Sequence, residues 1–293
     1  MEVYLNATSV NKNLWPLIEN EPVALIKLAD KYLIEYLFES CVRSGIKSVN
    51  VIGGRYCDIL KHKLGTGNKW GLIITYQDTI NVSNDSFLIH ADSLYNIDLT
   101  ELINISVQNC DALSTSAPVT SDTNHRNTNR TQLSDQNDHT IFRIDDYSSY
   151  YSACMKLVRN QLKECVIDPH QAGYKVIEGS RISYNQESIT NGYAFIGDRT
   201  RIAPTSTVSS DVLIGADVVI DDYAQLNRCI VLDSTYIGKM LKVEHSIVKG
   251  NYLISLKNNT CTTISDDLLI SDLSTKPGKK RLIQRFTKLT EAV

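Results

Sequence analysis

Few residues of this 293-residue chain have the type and spacing that chemistry needs. His245, in Val243-Glu244-His245-Ser246, is the only histidine inside the regular repeat described below. An imidazole there could serve as a general base, with Glu244 as the neighbouring carboxylate. Adjacent strand residues point to opposite faces, however, so Glu244 is poorly placed to orient it. Asp92 closes the apolar run Leu88-Ile89-His90-Ala91 and is a strand-end carboxylate suited to capping or to solubility. Seven cysteines, at 41, 57, 110, 154, 165, 229 and 261, are scattered without a CxxC pair, which argues against zinc or dithiol chemistry and for a reducing, cytoplasmic setting. Near the C-terminus, residues 276–289 combine six basic residues with Leu282, Phe286 and Leu289 at helical spacing, a pattern suited to an anionic membrane surface or a docking partner.

These residues need a scaffold, and the composition supplies one. With 42% hydrophobic residues the chain can bury substantial cores. Its net charge of −3 creates no field that would make nucleic acid a partner, and none is expected. No basic stretch followed by an apolar core opens the chain and no run approaches 18 apolar residues, so neither secretion nor a membrane span is expected. Residues 1–103 alternate strand and helix signals: Val49–Ile52 and Phe87–Ile89 read as short strands. Residues 31–44 read as a helix with Leu33, Tyr36, Leu37 and Val42 on one face and Gly45 as its stop. That alternation predicts an α/β layer with a parallel sheet. Residues 104–140 turn to Ser, Thr, Asn, Asp and Gln, too polar to offset ordering entropy, and read as a disordered insertion. Residues 141–175 hold a connecting strand, Ile141–Ile144, and a helix near 148–166 whose face is Tyr151, Cys154, Met155, Val158 and Leu162. That helix is expected to pack between two domains.

From Ile196 an aliphatic residue returns every six positions: Ile196, Ile202, Val208, Ile214, Ile220, Leu226. After a one-residue slip the ladder resumes as Val231, Ile237, Val243, and after another as Val248, Ile254. Neither helix nor hairpin has that period. It predicts a parallel β-helix over 176–270, each six-residue unit forming one flat side with one aliphatic side chain inward. Eleven rungs make nearly four coils, and the small residues Gly197, Ala203, Ser209, Gly215 and Gly238 are expected to turn its corners. The basic tail spans 271–293.

The ladder resembles the hexapeptide-repeat domains of acyltransferases and of sugar-nucleotide pyrophosphorylases, whose coils are left-handed, an exception to the usual crossover rule. The first hundred residues sharpen the resemblance to the sugar-nucleotidyltransferases. Val3-Tyr4-Leu5 through Trp15-Pro16-Leu17 matches the length of the family's strand, Gly-rich GxGTRL loop and PL. Pro22–Leu28 resembles PKPLLPI, Asp30–Tyr36 the following GKPLIEY, and Leu64-Gly65-Thr66-Gly67-Asn68-Lys69-Trp70-Gly71-Leu72-Ile73-Ile74-Thr75-Tyr76 the LGDGSKWGLKITY segment. Leu88-Ile89-His90-Ala91-Asp92 resembles the metal-binding GD strand. The resemblance implies a truncated Rossmann-like nucleotidyltransferase domain, degenerate, over 1–103, followed by a left-handed parallel β-helix.

Chemistry in that family is attack of a sugar phosphate on a nucleoside triphosphate, which needs a phosphate cradle, cations and magnesium. Here the loop glycines correspond to Thr8, Ser9 and Asn11, the loop arginine to Asn13 and the lysine of PKP to Val23. Lys12 and Lys27 could replace the lost cations by position. The base-reading insertion is missing after Tyr76, with Gln77 as its remnant, and no EKP motif occurs. The resemblance therefore implies a remnant nucleotide pocket of Ala7, Thr8, Ser9, Asn13 and Asp92, no catalytic residue, no cofactor, and Mg2+ on Asp92 only if the protein is active. The expected function is a scaffold or regulator in bacterial surface-polysaccharide (sugar-nucleotide) biosynthesis. A sugar nucleotide or a sugar-phosphate transferase would be its partner, with peripheral membrane contact through 276–289 and a homo-oligomer through the β-helix. An active sugar-1-phosphate nucleotidyltransferase, such as a mannose-1-phosphate guanylyltransferase, and a hexapeptide acyltransferase using His245 remain as alternatives.

Overall fold

The computed structural model describes residues 2–79, 86–103, 141–168, 174–190 and 192–274. The polar stretch 104–140 and the basic segment 276–289 lie outside the described residues. In the first hundred residues, strands β1 (Glu2–Asn6), β4 (Ser48–Ile52), β5 (Ile73–Gln77) and β6 (Ser86–His90) form one parallel sheet in the order β5-β4-β1-β6. The antiparallel ribbon β2 (Lys27–Leu28) and β3 (Lys31–Tyr32) leads into helix α1 (Leu33–Arg43), and α2 (Cys57–Leu64) crosses between β4 and β5. Helix α1 starts where Glu35 accepts a hydrogen bond from the Tyr32 N–H (2.6 Å). It ends before Gly45, whose φ of +74° suits glycine. Its inner face, Ile34, Leu37, Phe38 and Cys41, packs on Val3, Leu5, Val49 and Val51 of the sheet. Each such buried side chain contributes about 1.5–3 kcal/mol of transfer free energy. A short antiparallel ribbon, β7 (Ser93–Tyr95) with β8 (Ile141–Arg143), ends the layer. Among the described residues no helix is long and apolar enough to cross a membrane.

Helix α3 (Tyr147–Val158) follows. Asp146 caps it by accepting from the Ser149 N–H at 2.7 Å. It is shorter than the 148–166 expected from its apolar spacing. Asn160 adopts the left-handed conformation (φ +54°) and the N–H groups of Asn160 and Gln161 fold back on the carbonyls of Leu157 and Lys156, ending the helix while the apolar pattern continues to Leu162.

Parallel strands then wind into a β-helix. Its first face stacks Val176–Glu178, Ala194–Ile196, Val212–Ile214, Ile230–Val231 and Ser246–Lys249; its second and third faces stack Arg201, Val219, Tyr236 and Thr207, Gln225, Lys242 strands. Inward residues Ile196, Ile202, Val208, Ile214, Ile220, Leu226, Val231, Ile237, Val243 and Val248 are all buried. The two slips of the ladder fall at one corner, where Arg228 and His245 take φ of +47° and +45°.

The first coil starts at Val176, ahead of the ladder's first rung, with isolated bridges at Ser183 and Ile189 completing the turn. Two details differ from the expectation. The parallel run stops at Val248, because Gly250 (φ +56°) reverses the chain into a hairpin that pairs Lys249 with Tyr252 and Ile247 with Ile254; Ile254 is therefore a hairpin residue, not an eleventh rung. The corners are turned by Arg199, Asp217 and Ser234 in left-handed conformation, not by the small residues after the inward positions. Gly215 serves close approach instead: a Cβ there would lie 2.4 Å from Asp233 Oδ1, which reaches across to accept from the Ala216 N–H at 2.9 Å.

The first face of the β-helix is apolar on both sides. Outward from Ile196, Ile214, Val231 and Ile247's neighbour Val248 stand Phe195, Leu213, Ile230 and Ile247, at most 4% exposed, packed against Tyr150, Ala153, Cys154 and Leu157 of α3 and Leu28 of β2. Helix α3 is thus sandwiched between layer and coil, buried on more than one side through Tyr150, Ala153, Cys154, Met155, Leu157 and Val158, while Tyr151 of the expected face is half-buried. Polar ties accompany it: Arg159 holds Asp211 with two hydrogen bonds (2.9 and 2.7 Å), Lys27 pairs with Asp233 at 2.5 Å, and Lys249 Nζ donates to the carbonyls of Pro16 and Leu17 (2.6 and 3.2 Å).

Two outcomes test this packing. Ile214→Asp places a carboxylate at a position with no solvent exposure and should destabilise the coil by more than about 4 kcal/mol in chemical denaturation, whereas Arg201→Ala, on an exposed site of a neighbouring strand, should change stability by less than about 0.5 kcal/mol. The Arg159 guanidinium, by hydrogen bonding and then by charge, holds the Asp211 carboxyl below its ordinary 3.8. A carboxyl depressed in the folded state stabilises above the unfolded value and loses that effect as pH falls through the folded one. Asp211→Asn should therefore cost about 1–2 kcal/mol above pH 5, and the gap from the parent protein should close as pH drops below the ordinary carboxylate range.

Candidate functional site

In an open parallel sheet, ligands bind beyond the C-terminal strand ends, at the point where the strand order reverses. Here that point lies at the end of β1, between β4 and β6, and the candidate residues gather there: the loop 7–13 after β1 and Asp92 after β6. Buried Ala7 continues the sheet by donating its N–H to the Ile52 carbonyl (2.9 Å). Thr8 is exposed, and Asn6 Oδ1 accepts from both its N–H (3.2 Å) and its hydroxyl (2.8 Å). The Ser9 carbonyl accepts from the Val23 N–H at 2.8 Å. Asn11 Oδ1 accepts from the Asn13 N–H (3.0 Å), while Asn11 Nδ2 donates to the Asp145 carbonyl (2.6 Å).

A phosphate cradle works by presenting unpaired backbone N–H groups, with glycine allowing close approach. In this loop the N–H groups of Thr8 and Asn13 are already taken by side-chain oxygens, and side chains stand where glycines would. Two of the loop's amides are thus occupied from within the loop itself.

Asp92 has a nearly buried side chain, 9% exposed. The antiparallel register of β7 and β8 sets Ser93 opposite Arg143 and brings the Arg143 guanidinium to 3.7 Å from Asp92 Oδ2. Ser93 Oγ donates to Asp92 Oδ1 at 3.1 Å, and Arg143 Nε lies 2.9 Å from Asp145 Oδ1. Magnesium sites are usually built from one or two carboxylates with substrate phosphates and waters. The residues here do not fit that need, since the strand-end carboxylate faces the Arg143 guanidinium and the nearby Asp145 carboxylate is paired with the same group. Among the described residues no three or more His, Cys, Asp and Glu side chains gather as metal ligands would.

The remaining candidates stand apart from this point. Lys12 is exposed on the short helical turn Lys12–Leu14. Lys27 is not a replacement cation for the loop, because its ammonium is drawn to Asp233 across the interface with the coil. Gln77 is tied to the sheet, its carbonyl accepting from the Gly53 N–H at 3.0 Å. His245 is exposed at a coil corner, and its neighbour Glu244 pairs with Lys242 at 2.9 Å; the two do not form a base and its orienting carboxylate. A cleft of about 510 Å3 between layer and coil is lined by the charged residues Lys27, Asp30, Lys31, Asp168, Glu178, Asp198 and Asp233, of which Lys27 pairs with Asp233, Lys31 pairs with Glu39 and Asp198 accepts from the Ser180 N–H. Sequence reasoning missed Arg143 and Asp145, which reach the site from beyond the polar stretch; no local pattern announces them.

With this geometry in view, the chain can be set beside known proteins. Residues 190–271 match the family model described as the GMPPB C-terminal domain. The likeness is to sugar-nucleotidyltransferase-like proteins. It rests on the coil, whose hexapeptide repeat is the part the model covers. No curated protein matches the chain. Among solved structures, one described as a glucose-1-phosphate thymidylyltransferase from Bacillus anthracis, in complex with a sucrose, aligns at 14% identity and a TM-score of 0.32, over 36% of this chain and 50% of that one. This chain thus spans half the length of that protein, and a likeness at that level says nothing about its chemistry.

The Asp92–Arg143 contact can be tested directly. Arg143→Ala leaves a nearly buried carboxylate without its neighbouring cation and should lower stability by about 0.5–1 kcal/mol, and adding Asp92→Asn should restore most of it. Additive losses in the double variant would show that the two side chains do not interact.

Proposed function

We propose that this nucleotidyltransferase-like chain does not transfer nucleotides and acts as a scaffold or regulator in bacterial surface-polysaccharide assembly. The observation that carries the reading is the guanidinium of Arg143 beside Asp92, the one carboxylate positioned for a metal in the resembled enzymes. It is supported by a loop whose Thr8 and Asn13 amides are occupied and whose Asn13 and Val23 stand where cations would neutralise phosphate. Transition-state charge on a transferring phosphoryl group needs preorganised donors and cations, and here two of the loop's donors are engaged and the two cation positions carry no charge. In this reading the partner is a sugar nucleotide or a sugar-phosphate transferase in the cytoplasm, contact with the membrane is peripheral through 276–289, and copies associate through the β-helix.

The decisive measurement is pyrophosphate release from each nucleoside triphosphate with a panel of hexose 1-phosphates and magnesium. No release above the uncatalysed rate is expected. Turnover near one per second, at the low end of the roughly 1–1,000 per second typical of enzymes, would overturn the proposal in favour of an active nucleotidyltransferase. In the same preparation His245→Ala should leave function in a deletion strain intact. Loss of that function by a folded His245→Ala protein, with acetyl-coenzyme A binding by the parent, would place an acyltransferase site in the coil, where removing a general base costs roughly 100-fold or more.

A further inference from the structure

The two ends of the β-helix are finished differently. At the C-terminal end the hairpin through Gly250 and the strand Ile270–Asp272 return antiparallel on the last coil. At the N-terminal end the strand Val176–Glu178 is the edge of its sheet among the described residues. A depression of about 360 Å3 opens there, lined by Tyr174, Lys175, Glu178, Tyr184, Gln186 and Ile189.

Register decides what this end can accept. Glu178 pairs with Ile196, so a carboxylate occupies the column filled by Ile196, Ile214, Val231 and Val248 in the coils that follow. The Tyr184 hydroxyl donates to it. An inward-pointing charge on an edge strand opposes the addition of another strand or a second coil, because stacking would strip the carboxylate of water. Apolar surface nonetheless remains at the same spot: Tyr174 is 66% exposed, and Tyr184 and Ile189 are half-buried. A fitting occupant must offer hydroxyls to a carboxylate, an ammonium and an amide while laying an apolar face on tyrosine rings. A pyranose ring does both. Tyrosine combines an apolar face with a polar tip, and the volume sits at the small end of ligand sites, about 300–1,000 Å3. Burial pushes the Tyr184 hydroxyl up to about 12, so it stays a neutral donor to Glu178 at physiological pH.

We propose that the N-terminal end of the β-helix is a saccharide site, taking one pyranose ring, free or at the end of a glycan chain, between Tyr174, Tyr184 and the polar groups of Lys175, Glu178 and Gln186. The site stands whether or not the α/β layer transfers nucleotides, and the pyrophosphate measurement does not bear on it.

The test is a titration of the full isotope-labelled chain, followed by NMR, with methyl mannoside, methyl glucoside, methyl galactoside and N-acetylglucosamine, then with the trisaccharide of whichever sugar binds. Saturable shifts confined to residues 174–189, with a dissociation constant on the order of 1 mM as befits a shallow open site, are expected. Tyr174→Ala and Glu178→Gln should each weaken binding by about tenfold or more while the rest of the spectrum is retained, and Tyr223→Ala, an exposed tyrosine at another corner of the coil, should leave it unchanged. A trisaccharide that binds more tightly than its monosaccharide supports a glycan chain; equal affinities support a single sugar. Absence of saturable shifts with every sugar at tens of millimolar overturns the proposal. So does binding that survives both variants, or a dimer in sedimentation that Tyr174→Ala dissociates, which would assign this end to a second copy.

Discussion

The doubly apolar first face of the β-helix is the constraint on which the rest of the molecule depends. A six-residue rung needs one inward aliphatic residue to build a coil. Here the first rung of each turn has a second, outward one: Phe195, Leu213, Ile230 and Ile247. Left to water, that stripe would be a large exposed apolar patch. Covered by α3, it fixes the helix, and the helix fixes the layer through the Tyr150 hydroxyl on the Lys27 carbonyl (2.8 Å) and the Tyr147 hydroxyl on the Trp15 carbonyl. Lys27–Asp233 and Arg159–Asp211 add direction to a contact whose energy is apolar.

The same connection shapes the strand-end site. Residues 141–147 run from β8 into α3, so the packing that seats the helix also carries Arg143 to Asp92 and the Asp145 carbonyl to Asn11. The loop after β1 is consequently closed by hydrogen bonds to its own side chains and to the connecting segment. Of the groups that would face phosphate in a catalytic loop, the Thr8 and Asn13 amides are held by Asn6 and Asn11, and Asn11 is tied in turn to the connecting segment.

The sequence alone determined the architecture: periods of 3.6 and six are local properties of the chain, set by which side chains must leave water on each element. The strands Val49–Ile52 and Phe87–Ile89, the helix ending before Gly45 and ten inward rungs of the coil were all legible for that reason. The hairpin at Lys249-Gly250-Asn251-Tyr252 was legible too, as a glycine turn between apolar runs, but the six-residue ladder ran across it and masked it. What only the tertiary structure decided was how charges are paired: Arg143 with Asp92, Lys27 with Asp233, Glu244 with Lys242 and not with His245. Charge pairing depends on distances of a few ångströms between segments far apart in the chain, and no repeat or spacing encodes them. A carboxylate at a strand end reads the same from sequence whatever it faces; the register of one three-residue ribbon puts a guanidinium beside this one.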